Sequence, residues 1–235
     1  MVQFGFYALS VIILLMQIFI IRNANAPRKS IVGYLVICTI WIAYLIILSA
    51  SGLLENFGLP PRVPIFIVLP AVVGIIYFSG RRSFKDILQK TPLHIPVFMQ
   101  SFRIVVELLI YGAFLEGIFP ERATFEGLNF DILVGSSSLI IGVLVQRGIL
   151  SVKGLLIWNV VSLMILSVTV YAFISTYYFT DYLGTIRGNK SFVEFPYLLL
   201  ASVLLPAAIF LHVFSIRQVL GRLRVSARVV SPVLK

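Results

Sequence analysis

The sequence predicts an all-α polytopic membrane bundle of seven transmembrane helices, a single domain over residues 1–235. Three observations predict it. Of the 235 residues, 60% are hydrophobic and 12% charged, against about half and about a quarter in a soluble domain. The apolar residues come in blocks of about 18–25, long enough to cross a bilayer. Lys and Arg gather in the short connections between those blocks, where orientation signals sit.

The first segment, 4–21, is uniformly apolar. Ala24-Asn25-Ala26 looks like a small-residue cleavage site, but no basic residue precedes Arg22 and Pro27 follows. The segment therefore reads as a retained helix rather than a signal peptide. Segments over 31–54 and 63–79 come next, the latter with Pro70 at its middle. Ser83 to Lys90 reads as a short amphipathic helix. Phe84, Ile87 and Leu88 stand at i, i+3 and i+4, a face suited to lie on lipid headgroups. Pro92 and Pro96 restart the chain into the fourth segment, 95–118, and the last three run over 132–149, 155–178 and 196–218. The single cysteine, Cys38, lies in an apolar run, which excludes an internal disulfide and a Cys-cluster metal site.

Orientation follows from the basic residues. One side collects Arg22, Arg28 and Lys29, then Arg81, Arg82, Lys85 and Lys90. It also holds Arg147 and Lys153, and in the tail Arg217, Arg222, Arg224, Arg228 and Lys235, 14 in all. The other side has four, Arg62, Arg122, Arg187 and Lys190. The positive-inside rule puts the N-terminus outside and the C-terminus in the cytoplasm. Glu55, Glu116, Glu121, Glu126, Asp131, Asp181 and Glu194 fall at the outer side, and Asp86 inside. The net charge of +10 thus belongs to orientation signals and gives no reason to invoke nucleic acid.

Leu69-Pro70-Ala71 recurs as Leu205-Pro206-Ala207. Nine residues past each Leu come Phe78-Ser79-Gly80-Arg81 and Phe214-Ser215-Ile216-Arg217. A mid-span proline frees a carbonyl that another group must satisfy. The match predicts two parallel copies, 1–80 and 131–218, joined by helix 95–118. Parallel repeats of this kind are a transporter architecture. The layout resembles the three-plus-one-plus-three plan of SWEET-type sugar transporters and of vitamin transporters of similar topology. It lacks the Pro-Gln dipeptide frequent in those families. The alternative is seven helices packed without symmetry.

The fourth segment is the least apolar. Gln100, Arg103, Glu107 and Tyr111 follow spacings of 3, 4 and 4, which puts them on one helical face. At a lipid-facing helix centre Arg103 and Glu107 would each cost about 2.5–3.5 kcal/mol, so the face must point into the bundle. Arg103 and Glu107 stand one turn apart and are expected to pair. The pair reads as a substrate or proton site, the alternative being a structural ion pair. Asn159 and His212 lie at similar depth on other segments and complete the candidate binding set, and Gln17 lies at a depth from which it could join them. His212 is also a candidate proton relay.

Glu116 opens an acidic outer connection in which Glu126, Asn129 and Asp131 offer hard oxygens, though no EF-hand pattern is present and no metal site is assigned. Asp131 is expected to cap the fifth segment, where acids suit a helix N-terminus.

Gln100-Ser101-Phe102-Arg103 with Glu107, then Phe125-Glu126-Gly127-Leu128-Asn129-Phe130-Asp131 and Gly135, resembles a pattern in uncharacterised bacterial multipass membrane proteins. Trp158-Asn159 and the stretch from Leu211-His212 to Gln218 fit it too. The resemblance covers about the last 140 residues. It implies a multi-pass protein of the bacterial inner, that is plasma, membrane, and no activity.

The expected function is small-molecule transport, with Arg103 holding an anionic or hydroxyl group and Glu107 or His212 titrating if transport is proton-coupled. The alternative is a seven-helix ligand-binding receptor or sensor, or a partner subunit without transport. A retinal Schiff base is excluded because no segment contains a lysine. No G-x-S-x-G, H-E-x-x-H or Walker motif argues for an enzyme. A bis-His haem would need His94 and His212, and no cofactor is assigned. The expected partners are the lipid bilayer and a small-molecule or ion ligand.

Overall fold

The computed structural model describes residues 1–183 and 188–230, without the side chains of 181, 182 and 226–230. Of the residues used for orientation, Arg187 and Lys235 lie outside the described residues, as do the side chains of Asp181 and Arg228. The fold is all-α, 80% helical, with no strand among the described residues.

Eight helices carry the architecture. They are α1 (Val2–Asn23), α2 (Arg28–Ala50), α3 (Pro64–Ser79), α4 (Arg82–Lys90), α5 (His94–Leu115), α6 (Asp131–Gln146), α7 (Val152–Tyr178) and α8, whose π turn Leu200–Leu204 leads into the helix Leu205–Val230. Each of the seven expected segments coincides with an apolar helix. Five (α1, α2, α5, α7 and α8) are long and apolar enough to cross a membrane, and α3 with α4, folded at 79°, makes a sixth if taken as one span. The segment expected over 132–149 is shorter than a span. The 16 residues of α6 reach about 24 Å at 1.5 Å each, against a hydrocarbon core of about 30 Å.

The connection before α6 folds into the bundle. Phe119, Ala123, Thr124 and Asn129 are all buried. Phe119 is its anchor, with its ring edge-on to Phe6, Phe173 and Tyr197 at centroid distances of 6.1, 5.6 and 5.6 Å. Such aromatic contacts hold an otherwise polar loop against an apolar interior.

Helix α6 packs against α5 and α7 through small residues. A methyl group at Gly142 would meet the Phe98 ring at 2.6 Å, and one at Gly135 the Ile104 backbone nitrogen at 2.9 Å. The approach to α5 is therefore as close as glycine allows. α5 tightens at the same level, where 3₁₀-type bonds run from Gln100 N to Val97 O, Ser101 N to Phe98 O and Arg103 N to Gln100 O.

The apolar face of α4 packs on protein rather than lying free on headgroups. Phe84 is edge-on to Phe210 and Phe214 of α8 at 5.8 and 5.4 Å, and Ile87 and Leu88 are buried. Gln218 Nε2 secures the end of α4 by donating to Leu88 O and Thr91 O at 2.9 and 2.6 Å.

The two matched prolines occupy equivalent local structure. Each follows a π turn closed by a wide bond, Leu69 N to Pro64 O in α3 and Leu205 N to Leu200 O in α8. The carbonyls that Pro70 and Pro206 leave without a helical donor are those of Phe66 and Ser202. Both are satisfied from α2: Tyr44 Oη donates to Phe66 O at 2.7 Å, and Trp41 Nε1 to Ser202 O at 2.9 Å. One helix thus staples both breaks with neighbouring aromatic rings, 5.4 Å apart.

Candidate functional site

The polar interior is one connected network. Asp131, delivered by the buried connection, stands in the first turn of α6 and makes no side-chain cap. Its carboxylate instead accepts from Arg103 of α5 at two points, Nε to Oδ2 at 2.7 Å and Nη2 to Oδ1. Arg103 Nη1 donates to His212 Nε2 of α8 at 3.0 Å. His212 Nδ1 lies 2.9 Å from Asn159 Oδ1 of α7. Asn159 Nδ2 donates to Leu155 O and to Ser215 Oγ, each at 2.9 Å.

The donor inventory assigns the imidazole proton. Both Asn159 N–H groups are used, so its Oδ1 must accept from His212 Nδ1–H, leaving the Nε2 lone pair for Arg103. Arg103, Asp131, Asn159 and His212 are 1%, 4%, 0% and 0% exposed. The network therefore ties α5, α6, α7 and α8 together in a region where an unmade hydrogen bond costs most.

The expected partner of Arg103, Glu107, is one turn away but does not pair with it. The guanidinium prefers Asp131, which its fork meets at two points. Glu107 is 1% exposed, and neither carboxylate oxygen has a hydrogen-bond partner. It lines a cavity of about 90 Å³ between α5, α7 and α8, together with Asp131, Thr169 and Tyr178. The Asn129 amide is close by, and only one of its two N–H groups is used elsewhere, which leaves the other as a neutral donor for Glu107. Its Nδ2 donates to Ala123 O at 3.0 Å, and its Oδ1 accepts from Asp131 N at 3.1 Å and Thr169 Oγ1 at 2.8 Å.

The other expected site residues scatter. Gln100 Nε2 donates to Ala208 O of α8 at 3.2 Å, while its Oε1 has no partner. Tyr111 leaves the shared face and donates to Glu126 at 3.1 Å. Glu116 accepts from Tyr197 at 3.3 Å. Gln17 lies outside the network. Glu126, Asn129 and Asp131 face three different partners and do not converge as a cation cage. Among the described residues no three His, Cys, Asp or Glu come together. With both His212 nitrogens engaged, the haem alternative has no free imidazole there.

A second and larger feature lies on the far side of α8. α2 keeps only Leu45 and Leu48 buried, standing off α3 and α8 below its two staples. The space left is a groove of about 1110 Å³. Its walls are mainly apolar, from Ile37, Ile75, Ala207 and Phe210. At the end of the bundle that carries most basic residues it is bordered by Lys29, Ser30 and Arg81. Gln17, Tyr34 and Cys38 also face it. Arg81 is held by the Tyr77 ring, 4.4 Å from its centroid. Pro70 and Pro206 line the groove, so it reaches the two helix breaks.

No protein family, curated protein or solved structure matches the chain.

Proposed function

We propose that this is a seven-span transporter, N-terminus outside and C-terminus cytoplasmic, that takes an anionic amphipathic small molecule into the groove between α2 and the α3–α8 pair. The observation that carries the reading is the groove itself. A cavity of about 1110 Å³ exceeds the usual range of about 300–1,000 Å³ for small-ligand pockets. Its apolar walls suit a hydrocarbon body, and Lys29 and Arg81 suit a carboxylate or phosphate head. The π–Pro breaks at its inner end supply two points where α3 and α8 can change conformation, and the repeated motif makes them a symmetric pair. Set within this reading, α6 is the seventh span, completed by the buried connection. An inner-membrane location is part of this proposal, and its support is the resemblance to bacterial multipass proteins.

Arg103 is assigned to the network rather than to the substrate, because three of its N–H donors are already engaged. The network is the strut against which α8 moves. A ligand sensor without transport is the second reading, favoured by the aromatic cluster around Phe119 that closes the acidic end.

Binding is tested by thermal unfolding in detergent across fatty acids, lysophospholipids and isoprenoid phosphates. A ligand at 100 times its Kd adds about 2.7 kcal/mol. Gly33 and Gly74 line the groove, and a side chain at either has open space before it. Gly74→Trp is expected to fold and to abolish the stabilisation, and Lys29→Gln with Arg81→Gln to weaken it. Stabilisation that survives all three variants would place the ligand elsewhere.

A further inference from the structure

Among the described residues one buried charge, that of Glu107, is left without a counter-charge. Arg103 and Asp131 neutralise each other at two points, and the His212 ring donates from Nδ1 and accepts at Nε2. Glu107 remains, 1% exposed, with both oxygens unpartnered and facing a cavity of about 90 Å³. Apolar side chains such as Phe102, Val106, Leu166 and Phe173 make up most of the wall. A carboxylate in such surroundings is stable only when a proton or a cation neutralises it.

The surroundings decide between the two. A metal ion takes six or more oxygen ligands in most hard-cation sites. Here the Asp131 oxygens are held by Arg103, Asn129 Oδ1 accepts two hydrogen bonds, and Tyr178 Oη already accepts from Val63 N at 3.0 Å. The charged and titratable groups facing Glu107 are Arg103 on its own helix, Asp131 on α6 and Tyr178 on α7, with His212 of α8 behind Arg103. The residues that α3 and the 190–193 turn place on the wall, Val63, Pro64, Val68 and Phe192, carry none.

We propose that Glu107 is an exchangeable proton site. Its carboxylate takes one H⁺ from bulk water to form a carboxylic acid and returns it as H⁺, with no other bond made or broken. The site sits against α8 from the side opposite the groove. The inference stands apart from the groove reading, since proton occupancy is measured with no ligand and no transport.

The test is modification of the full-length purified protein with dicyclohexylcarbodiimide, which reacts with protonated carboxyl groups and partitions into apolar interiors. Adducts are mapped by peptide mass spectrometry over a pH series. The expected result is an adduct on Glu107 that declines as pH rises, is absent from E107Q, and is unchanged when choline chloride is replaced by sodium or potassium chloride. Absence of the adduct at every pH, its appearance on Asp131 instead, or protection by sodium or potassium would each overturn the proposal. If E107Q does not fold, the pH series and the salt comparison on the wild type still decide.

Discussion

Arg103 and Asp131, 28 residues apart on α5 and α6, form a buried two-point ion pair. The pair depends on the connection between their helices being buried rather than looping over the surface. A broken buried pair leaves an uncompensated charge and typically costs about 3–5 kcal/mol. Asp131→Ala is expected to lose that much by unfolding in detergent. The double variant Arg103→Gln with Asp131→Asn should lose less than the sum of its singles, because the partners couple. A single Asp131→Ala variant as stable as wild type would contradict the pairing.

His212 is the middle of the network. His212→Ala leaves Arg103 Nη1 and Asn159 Oδ1 unpaired, at about 1–3 kcal/mol for each buried group. Nitrogen NMR of histidine-labelled protein should show Nδ1 protonated and Nε2 bare. The opposite tautomer would require Asn159 to be flipped, which would set its Oδ1 against the Leu155 carbonyl and lose that bond.

Trp41 acts on the backbone that Pro206 disrupts. Trp41→Phe removes the donor to Ser202 O and is expected to cost about 1–2 kcal/mol, within the range measured for hydrogen bonds between membrane helices and for unmade buried ones. In a Pro206→Ala background, residue 206 supplies its own N–H to that carbonyl, so the hydrogen-bond part of the cost should disappear. An undiminished penalty would mean that the ring acts by packing alone. Tyr44→Phe, facing Phe66 O, should behave alike with Pro70→Ala.

Topology gives a fourth outcome. With Cys38 replaced by Ser, Glu121→Cys and Lys153→Cys present exposed positions at opposite ends. In intact cells an impermeant maleimide should label position 121 and reach position 153 only after permeabilisation. Reversed labelling would invert the proposed orientation, and labelling of both would mean that α6 does not complete a span.

Much of the architecture is legible in the amino-acid order, because hydropathy and proline position are properties of single segments. The seven apolar helices lie where the blocks predict. The Pro70 and Pro206 match marks two equivalent breaks, and Arg103, Asn159 and His212 do meet at similar depth. Ser215, three residues past His212, shares its helical face and was discoverable by the same spacing argument. What periodicity does not reveal is how one helix is rotated against another or how deep a loop sinks. Asp131 looks like a surface cap until the 116–130 connection is seen to be buried, so spacing alone pairs Arg103 with Glu107. Tyr111 shares the spacing of that face and still turns to Glu126, because eight residues past Arg103 a regular helix has rotated about 80° off that face. The groove has no sequence signature, since it is made by α2 standing away from its neighbours.

The most direct test of the account is uptake of the best-stabilising compound into liposomes carrying the purified protein, with wild type beside Gly74→Trp. The account predicts time-dependent accumulation with wild type and none above empty liposomes with a folded Gly74→Trp variant. Equal accumulation by the two would contradict the groove as the transport site, and a compound that binds wild type but never accumulates would contradict transport itself.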